Sequence, residues 1–225
     1  MSFKKVLVIA AHPDDELLGC GGTVALHVQH GDVVCSLIVC EGESLRGVQQ
    51  ASEYQHHAEA AAEVLGVNKV EMLRLPDQKL DTLTLTEVIT PIEKVVDEFK
   101  PEVIYCQFGG DINRDHQLLF EAVLVATRPT LPFIEAVYAF DTASSTEWAY
   151  PRTFIPDTWV DISSTLQTKL TAMSCYKTEL RDYPHPRSLK GLEYKAHAWG
   201  NQACMDAAEV FMTVRRSYRG AKAPF

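Results

Sequence analysis

Residues 6–16 read Val6-Leu7-Val8-Ile9-Ala10-Ala11-His12-Pro13-Asp14-Asp15-Glu16, and the change of character between Ala11 and His12 decides the fold. The first part is apolar and rich in β-branched residues. A short run of this kind predicts a strand buried on both faces, as in a parallel sheet covered by helices. One imidazole, three carboxylates and a proline follow where that strand must end. Working outward, Leu17–His30 carries apolar residues at helical spacing and stops at Gly31, a residue suited to a helix C-cap.

The same alternation continues downstream. Strands are expected over Val33–Cys40, Lys69–Leu73, Glu102–Cys106 and Ala136–Phe140, and helices over Gln49–Leu65, Glu87–Phe99 and Asp115–Ala126. Pro91 falls inside the Glu87–Phe99 pattern and points to a helix start near Pro91 itself. This order predicts an α/β fold, a Rossmann-like, mostly parallel sheet with helices on both faces. Ala143–Pro156 has no period and reads as a loop or lid. Trp159–Ile162 reads as a short strand, and Thr165–Lys177 and Leu189–Val210 read as helices.

At about 150 residues per domain, a chain of 225 residues allows one large domain or two small ones. No repeat, low-complexity stretch or linker divides it. One domain over residues 1–225 is expected, with 1–141 as core α/β units and 142–225 as lid and C-terminal elements.

Composition narrows the function classes. With 46% hydrophobic and 23% charged residues, the chain is neither disordered nor fibrous. Its 21 Lys+Arg against 30 Asp+Glu give a net charge of −9, which repels phosphate backbones and argues against nucleic acid as a partner. No apolar run approaches the roughly 18 residues of a membrane span. Lys4-Lys5 precede an apolar run too short for a signal peptide, and no cleavage site follows it. Six cysteines (Cys20, Cys35, Cys40, Cys106, Cys175, Cys204) contain no CxxC pair and read as reduced thiols of a cytoplasmic protein. A small-molecule substrate is the expected partner, and a homo-oligomer is left open.

In open α/β sheets, ligands bind outside the carboxyl ends of the strands, where the strand order reverses. For a Rossmann-like order that point lies between the first and fourth strands. The loop after the fourth strand reads Gly110-Asp111-Ile112-Asn113-Arg114-Asp115-His116, so two loops bearing histidine and carboxylate should meet there. His12, Asp15 and His116 would then offer two imidazoles and a carboxylate. Catalytic zinc takes such a donor set and keeps one position open, although Fe²⁺ or another divalent ion also accepts it. Asp14 diverges from its neighbour and is free to take a proton from a metal-bound water.

The segment from Val6 to Thr23, with His12-Pro13-Asp14-Asp15-Glu16-Leu17-Leu18-Gly19-Cys20-Gly21-Gly22-Thr23, resembles the opening of the LmbE/PIG-L-like family of zinc-dependent N-acetyl-sugar deacetylases. The likeness continues through Glu41-Gly42-Glu43 and Arg46, Leu65-Gly66-Val67, Leu75-Pro76-Asp77 and Asp111-x-Asn113-x-Asp115-His116. It is looser at Tyr176-Lys177, Pro184-His185-Pro186-Arg187-Ser188 and Ala208-Glu209-Val210-Phe211. The resemblance implies a Rossmann-like fold and hydrolysis of an acetamide on a glucosamine-type sugar. It also implies His12, Asp15 and His116 as zinc ligands and Asp14 as the base. Two positions depart from the family pattern. Asn113 stands where many members have a histidine, and an asparagine cannot donate a proton as an imidazolium does. Tyr54 and His57 stand where an arginine and a glutamate are common.

Further candidates surround this set. His185, held between two prolines, is a second catalytic candidate, for polarising the substrate carbonyl or protonating the leaving amine. Arg46, Asp77, Asn113 and Arg187 are candidates for substrate binding. Arg46 could instead pair with Glu41 or Glu43, and Asp77 could be a turn residue. Gly19-Cys20-Gly21-Gly22 lacks the third glycine of a dinucleotide loop and reads as close packing of the helix start. The expected activity is removal of acetyl from an N-acetylated amino sugar or its conjugate. The alternatives are a metal-dependent amidohydrolase on a non-sugar amide and a non-catalytic nucleotide- or metabolite-binding module.

Overall fold

The computed structural model describes residues 3–42 and 51–219, the side chains of 51–54 excepted. Five strands, β1 (Lys5–Ala10), β2 (Val33–Cys40), β3 (Lys69–Leu75), β4 (Val103–Gln107) and β5 (Ala136–Phe140), alternate with α1 (Asp15–Gln29), α2 (Ala51–Leu65), α3 (Leu85–Phe99) and α4 (Arg114–Ala126). The C-terminal third adds β6 (Thr158–Asp161), α5 (Leu166–Met173), α6 (Leu189–Asn201) and β7 (Ala208–Arg216). The sheet order is β3-β2-β1-β4-β5-β7-β6. Strands β1 to β5 pair in parallel, and β7 runs antiparallel between β5 and β6.

Strand β1 shows how alternation builds two cores, because successive side chains leave a strand on opposite faces. Val6 and Val8 pack with Leu17, Ala58, Leu170 and Leu192 on one face. Leu7 and Ile9 pack with Ile92, Val96, Leu119 and Val123 on the other. All four strand residues are fully buried, each contributing about 1.5–3 kcal/mol relative to an exposed position. The sheet is thus a wall between α1, α2, α5 and α6 on one side and α3 and α4 on the other.

Two elements differ from expectation. Helix α3 does not begin at Pro91 but at Leu85, where Thr84 and Glu87 form a capping box. Pro91 costs the ladder one backbone donor. The cap and the apolar stripe Val88-Ile92-Val95-Val96 outweigh that loss. Second, the helix expected over Leu189–Val210 ends at Asn201, and Ala208–Val210 begin a nine-residue strand. The chain doubles back against Gly200, where an added Cβ would lie 2.5 Å from the Met205 carbonyl oxygen. Only glycine allows that approach, and the fold-back feeds Glu209 and Phe211 into the sheet.

Candidate active site

The strand order reverses between β1 and β4, and an open cavity of about 1130 Å³ lies at their carboxyl ends. Two strand-to-helix turns build its floor. After β1 the amide of Ala11 donates to Gln107 Oε1 at 2.6 Å, which ties the end of β1 to the end of β4. Gln107 Nε2 donates to Asp15 Oδ2 at 2.7 Å. After β4, Asn113 caps α4 by accepting from the Asp115 amide at 2.9 Å, and this brings His116 into the first turn.

These turns place three donor atoms in a triangle. His12 Nδ1 lies 3.1 Å from Asp15 Oδ2 and 3.2 Å from His116 Nε2. The third side, His116 Nε2 to Asp15 Oδ2, is 3.3 Å. Ligand bonds of roughly 2.0–2.1 Å in a tetrahedral site imply ligand separations of about 3.3 Å, so the donor set and its spacing fit a divalent ion. His12, Cys40 and Asp115 form a second group within reach of one ion, but it shares His12 with the first.

Carboxylates orient both imidazoles from behind. His12 Nε2 faces Asp115 Oδ2 at 3.1 Å and Asp77 Oδ1 at 3.2 Å. His116 Nδ1 faces Asp111 Oδ1 at 3.2 Å. Asp111 in turn accepts from Ser145 Oγ, from Thr146 Oγ1 at 2.6 Å and from the Asn113 amide at 2.8 Å. Such partners fix which ring nitrogen faces the metal side. The electrostatics run the same way. Burial disfavours charge on both rings, yet their carboxylate neighbours raise both imidazoles above the ordinary histidine value. Burial would raise Asp15, but His116 and His12 hold it far below the usual carboxylate range. The cluster therefore attracts positive charge.

Asp14 is held differently. Its φ of 110° is in the left-handed region, a strain of order 1–3 kcal/mol for a residue with a side chain. Its amide donates to Glu16 Oε2 at 3.1 Å, and the Tyr176 hydroxyl donates to Glu16 Oε1 at 2.6 Å. Tyr176 is fully buried, so the strained turn is pinned from the C-terminal third. The Asp14 carboxylate lines the cavity and meets Arg187 Nη1 at 3.3 Å, while Arg187 also reaches Glu179 at 2.9 Å. Burial and the charge of Asp15 push the Asp14 carboxyl up, against the pull of Arg187. Burial lifts Glu16 to about 7. A carboxylate with raised proton affinity beside a metal-sized triangle suits a general base.

Residues 7–127 match the family described as PIG-L: GlcNAc-PI de-N-acetylase, over half of the chain. The chain belongs to this family. Its PIG-L relatives include a diacetylchitobiose deacetylase of Thermococcus kodakarensis, 28% identical over 78% of this chain and 70% of that protein. A 4-oxalmesaconate hydratase of Pseudomonas putida is 30% identical over 76% of this chain and 72% of its own length. In fold, a conserved protein of Thermus thermophilus superposes with a TM-score of 0.80 at 21% identity, covering 99% of this chain and 100% of that one. An N,N'-diacetylchitobiose deacetylase of Pyrococcus horikoshii superposes with a TM-score of 0.76 at 22% identity, covering 94% and 84%.

Within the PIG-L region lie His12, Asp14, Asp15 and His116, with Arg46, Asp77 and Asn113, while His185 and Arg187 lie beyond it; the candidates outside the donor triangle sort by what they touch. His185 lines the cavity, and its Nδ1 accepts from the Arg187 amide at 3.1 Å. Burial and the nearby Arg187 and Arg181 lower its proton affinity, so the neutral ring carries its proton on Nε2. Trp148 stands nearly perpendicular to that ring, with centroids 5.8 Å apart. Arg187 is engaged with Asp14, and Asp77 with His12. Asn113 caps a helix, and all three also line the cavity. Arg46 lies outside the described residues. Sequence reasoning passed over Gln107, whose signal was a glutamine closing an otherwise apolar strand, Val103–Gln107. The partner of Glu16, Tyr176, was marked only by the looser family resemblance at Tyr176-Lys177.

Proposed function

We propose that this PIG-L chain removes the acetyl group from an N-acetylglucosamine-type amino sugar or its conjugate, with zinc held by His12, Asp15 and His116. The observation that carries the reading is the buried Asp14 carboxylate opening onto the same cavity as the donor triangle. When bound, the ion polarises the acetamide carbonyl and makes the attacking water more acidic. Asp14 accepts a proton from that water as its oxygen bonds to the carbonyl carbon. His185, which lines the cavity, donates its Nε2–H to the developing oxyanion. The C–N bond then breaks, the amine takes from Asp14 the proton that Asp14 accepted from water, and acetate leaves. Arg187 keeps Asp14 in place through their 3.3 Å contact and, with Asp77, Asn113 and Arg46, orients the sugar.

Zinc is proposed over iron because two imidazoles and a carboxylate suit it, although Fe²⁺ accepts the same donors. No helix among the described residues is long and apolar enough to cross a membrane. The cysteines are all free thiols, which supports a cytoplasmic location, and the net charge of −9 supports a partner other than nucleic acid.

The hydratase relative motivates a second reading, addition of water to an unsaturated acid with Asp14 again as base. The decisive experiment pairs metal analysis of the purified protein with acetate release from a panel of N-acetylglucosaminides and with a hydration assay on 4-oxalmesaconate. Bound zinc with acetate release is expected. Metal-free protein releasing no acetate would overturn the first reading, and hydration without deacetylation would replace it with the second.

A further inference from the structure

Helix α1 is broken. Cys20 has φ −143° and ψ 19°, so a half-helix carrying Asp15 and Glu16 precedes a second one that runs to Gln29. In an unbroken helix the Gly22 amide would bond the Leu18 carbonyl. Here the Gly22 amide meets Glu209 Oε1 at 2.9 Å and the Leu18 carbonyl meets Lys169 Nζ at 3.1 Å. The two charged groups meet each other at 2.6 Å. Glu209 Oε2 also accepts from the Thr23 amide at 2.7 Å, and Thr165 Oγ1 donates to the Gly22 carbonyl at 2.8 Å. Every polar group of this clamp is buried, and all come from α5 with its N-cap and from β7.

The glycine run is the other half of the device. A Cβ on Gly19 would lie 2.0 Å from the Phe140 ring, and one on Gly22 would lie 2.8 Å from Ile162. The break is thus pressed against β5 and the residue after β6, and only a chain without side chains there reaches the clamp. An apolar filler would close the gap but would leave the Leu18 carbonyl and the Gly22 and Thr23 amides unpaired.

We infer that Glu209 and Lys169 are positioning residues that set the angle of the half-helix bearing Asp14 and Asp15, and so tune metal affinity and turnover from the far side of the chain. The inference rests on His12, Asp15 and His116 being the metal site. Its test uses Glu209→Gln and the double variant Glu209→Gln/Lys169→Met, which leaves no unpaired buried charge if the single change fails to fold. Zinc affinity is measured by chelator competition, and thermal unfolding, kcat and KM are measured in parallel. Val96→Ala, in the opposite core on α3, which bears no residue of the cavity, serves as a control for stability loss.

Zinc affinity should fall about 10–100-fold in the clamp variants, as for other groups that orient metal ligands. The kcat should fall with it while KM stays near wild type, and Val96→Ala should change neither. Wild-type zinc affinity in the folded double variant, or a loss no larger than in Val96→Ala, would overturn the inference. If the wild-type protein releases no acetate, the deacetylase reading fails, while the zinc measurement still decides whether the clamp exists.

Discussion

The five parallel strands and the C-terminal third serve the cavity in different ways. The strand-to-helix turns after β1 and β4 carry His12, Asp14, Asp15 and His116, groups that face the cavity. The C-terminal third lends Tyr176 to Glu16, Arg187 to Asp14, and Lys169 with Glu209 to the break in α1. One region presents charge and the other restrains it. A strained Asp14 and a broken α1 are unfavourable locally, so they persist only where distant contacts over-determine them. Removing groups from each region should therefore produce different kinds of failure.

The largest effect is expected in the first region. Stripping the metal with a chelator should reduce acetate release to background, and adding back zinc should restore it. His116→Ala should stay at background after the same addition, because one corner of the 3.1–3.3 Å triangle is gone. Full recovery in His116→Ala would move the metal to other donors, such as the His12, Cys40 and Asp115 group.

Next in size is Asp14→Asn. An amide keeps the shape of the carboxylate but accepts no proton, so turnover should fall about 10²–10⁴-fold with zinc content unchanged. Loss of zinc instead would make Asp14 a ligand and erase the distinction between it and Asp15.

Tyr176→Phe tests the restraint. It leaves Glu16 Oε1 buried without its 2.6 Å donor, which costs about 1–3 kcal/mol of stability. Because Glu16 holds the Asp14 amide, kcat should also fall, by about tenfold or 1.4 kcal/mol, with KM near wild type. A stability loss with normal kcat would make Tyr176 a core residue that plays no part in positioning.

The two regions also differ in how much of them was legible. The Val6–Ala11 run, the polar block after it and the Asp111–His116 loop carry their own periodicity and turn chemistry. The parallel sheet and the convergence of His12 with His116 followed from those alone. The C-terminal third depends on contacts across long sequence separations. Ala208–Val210 continue a helical pattern, and only the fold-back at Gly200, with Met205 and Ala207 against it, turns them into the start of β7. Likewise the contacts of Asp77 with His12 and of Arg187 with Asp14 are set by topology that local composition does not encode. The glycine run after Glu16 was legible as close packing, but the ion pair filling its break was not.

The smallest expected effect on activity comes from the core that faces neither region's special contacts. Val96, on α3, is fully buried among Leu7, Ile92, Leu119 and Val123 on the α3–α4 side of the sheet. Val96→Ala removes two methyl groups and leaves a partly relaxed cavity, a loss of about 2 kcal/mol. The sheet stands between that cavity and α1, and α3 carries none of the groups that line the active-site cavity. The midpoint of thermal unfolding should therefore drop while kcat, KM and zinc affinity of the folded protein stay at wild-type values. Should kcat fall as it does in Tyr176→Phe, the site would be tracking overall stability, and the division between presenting and restraining regions would dissolve.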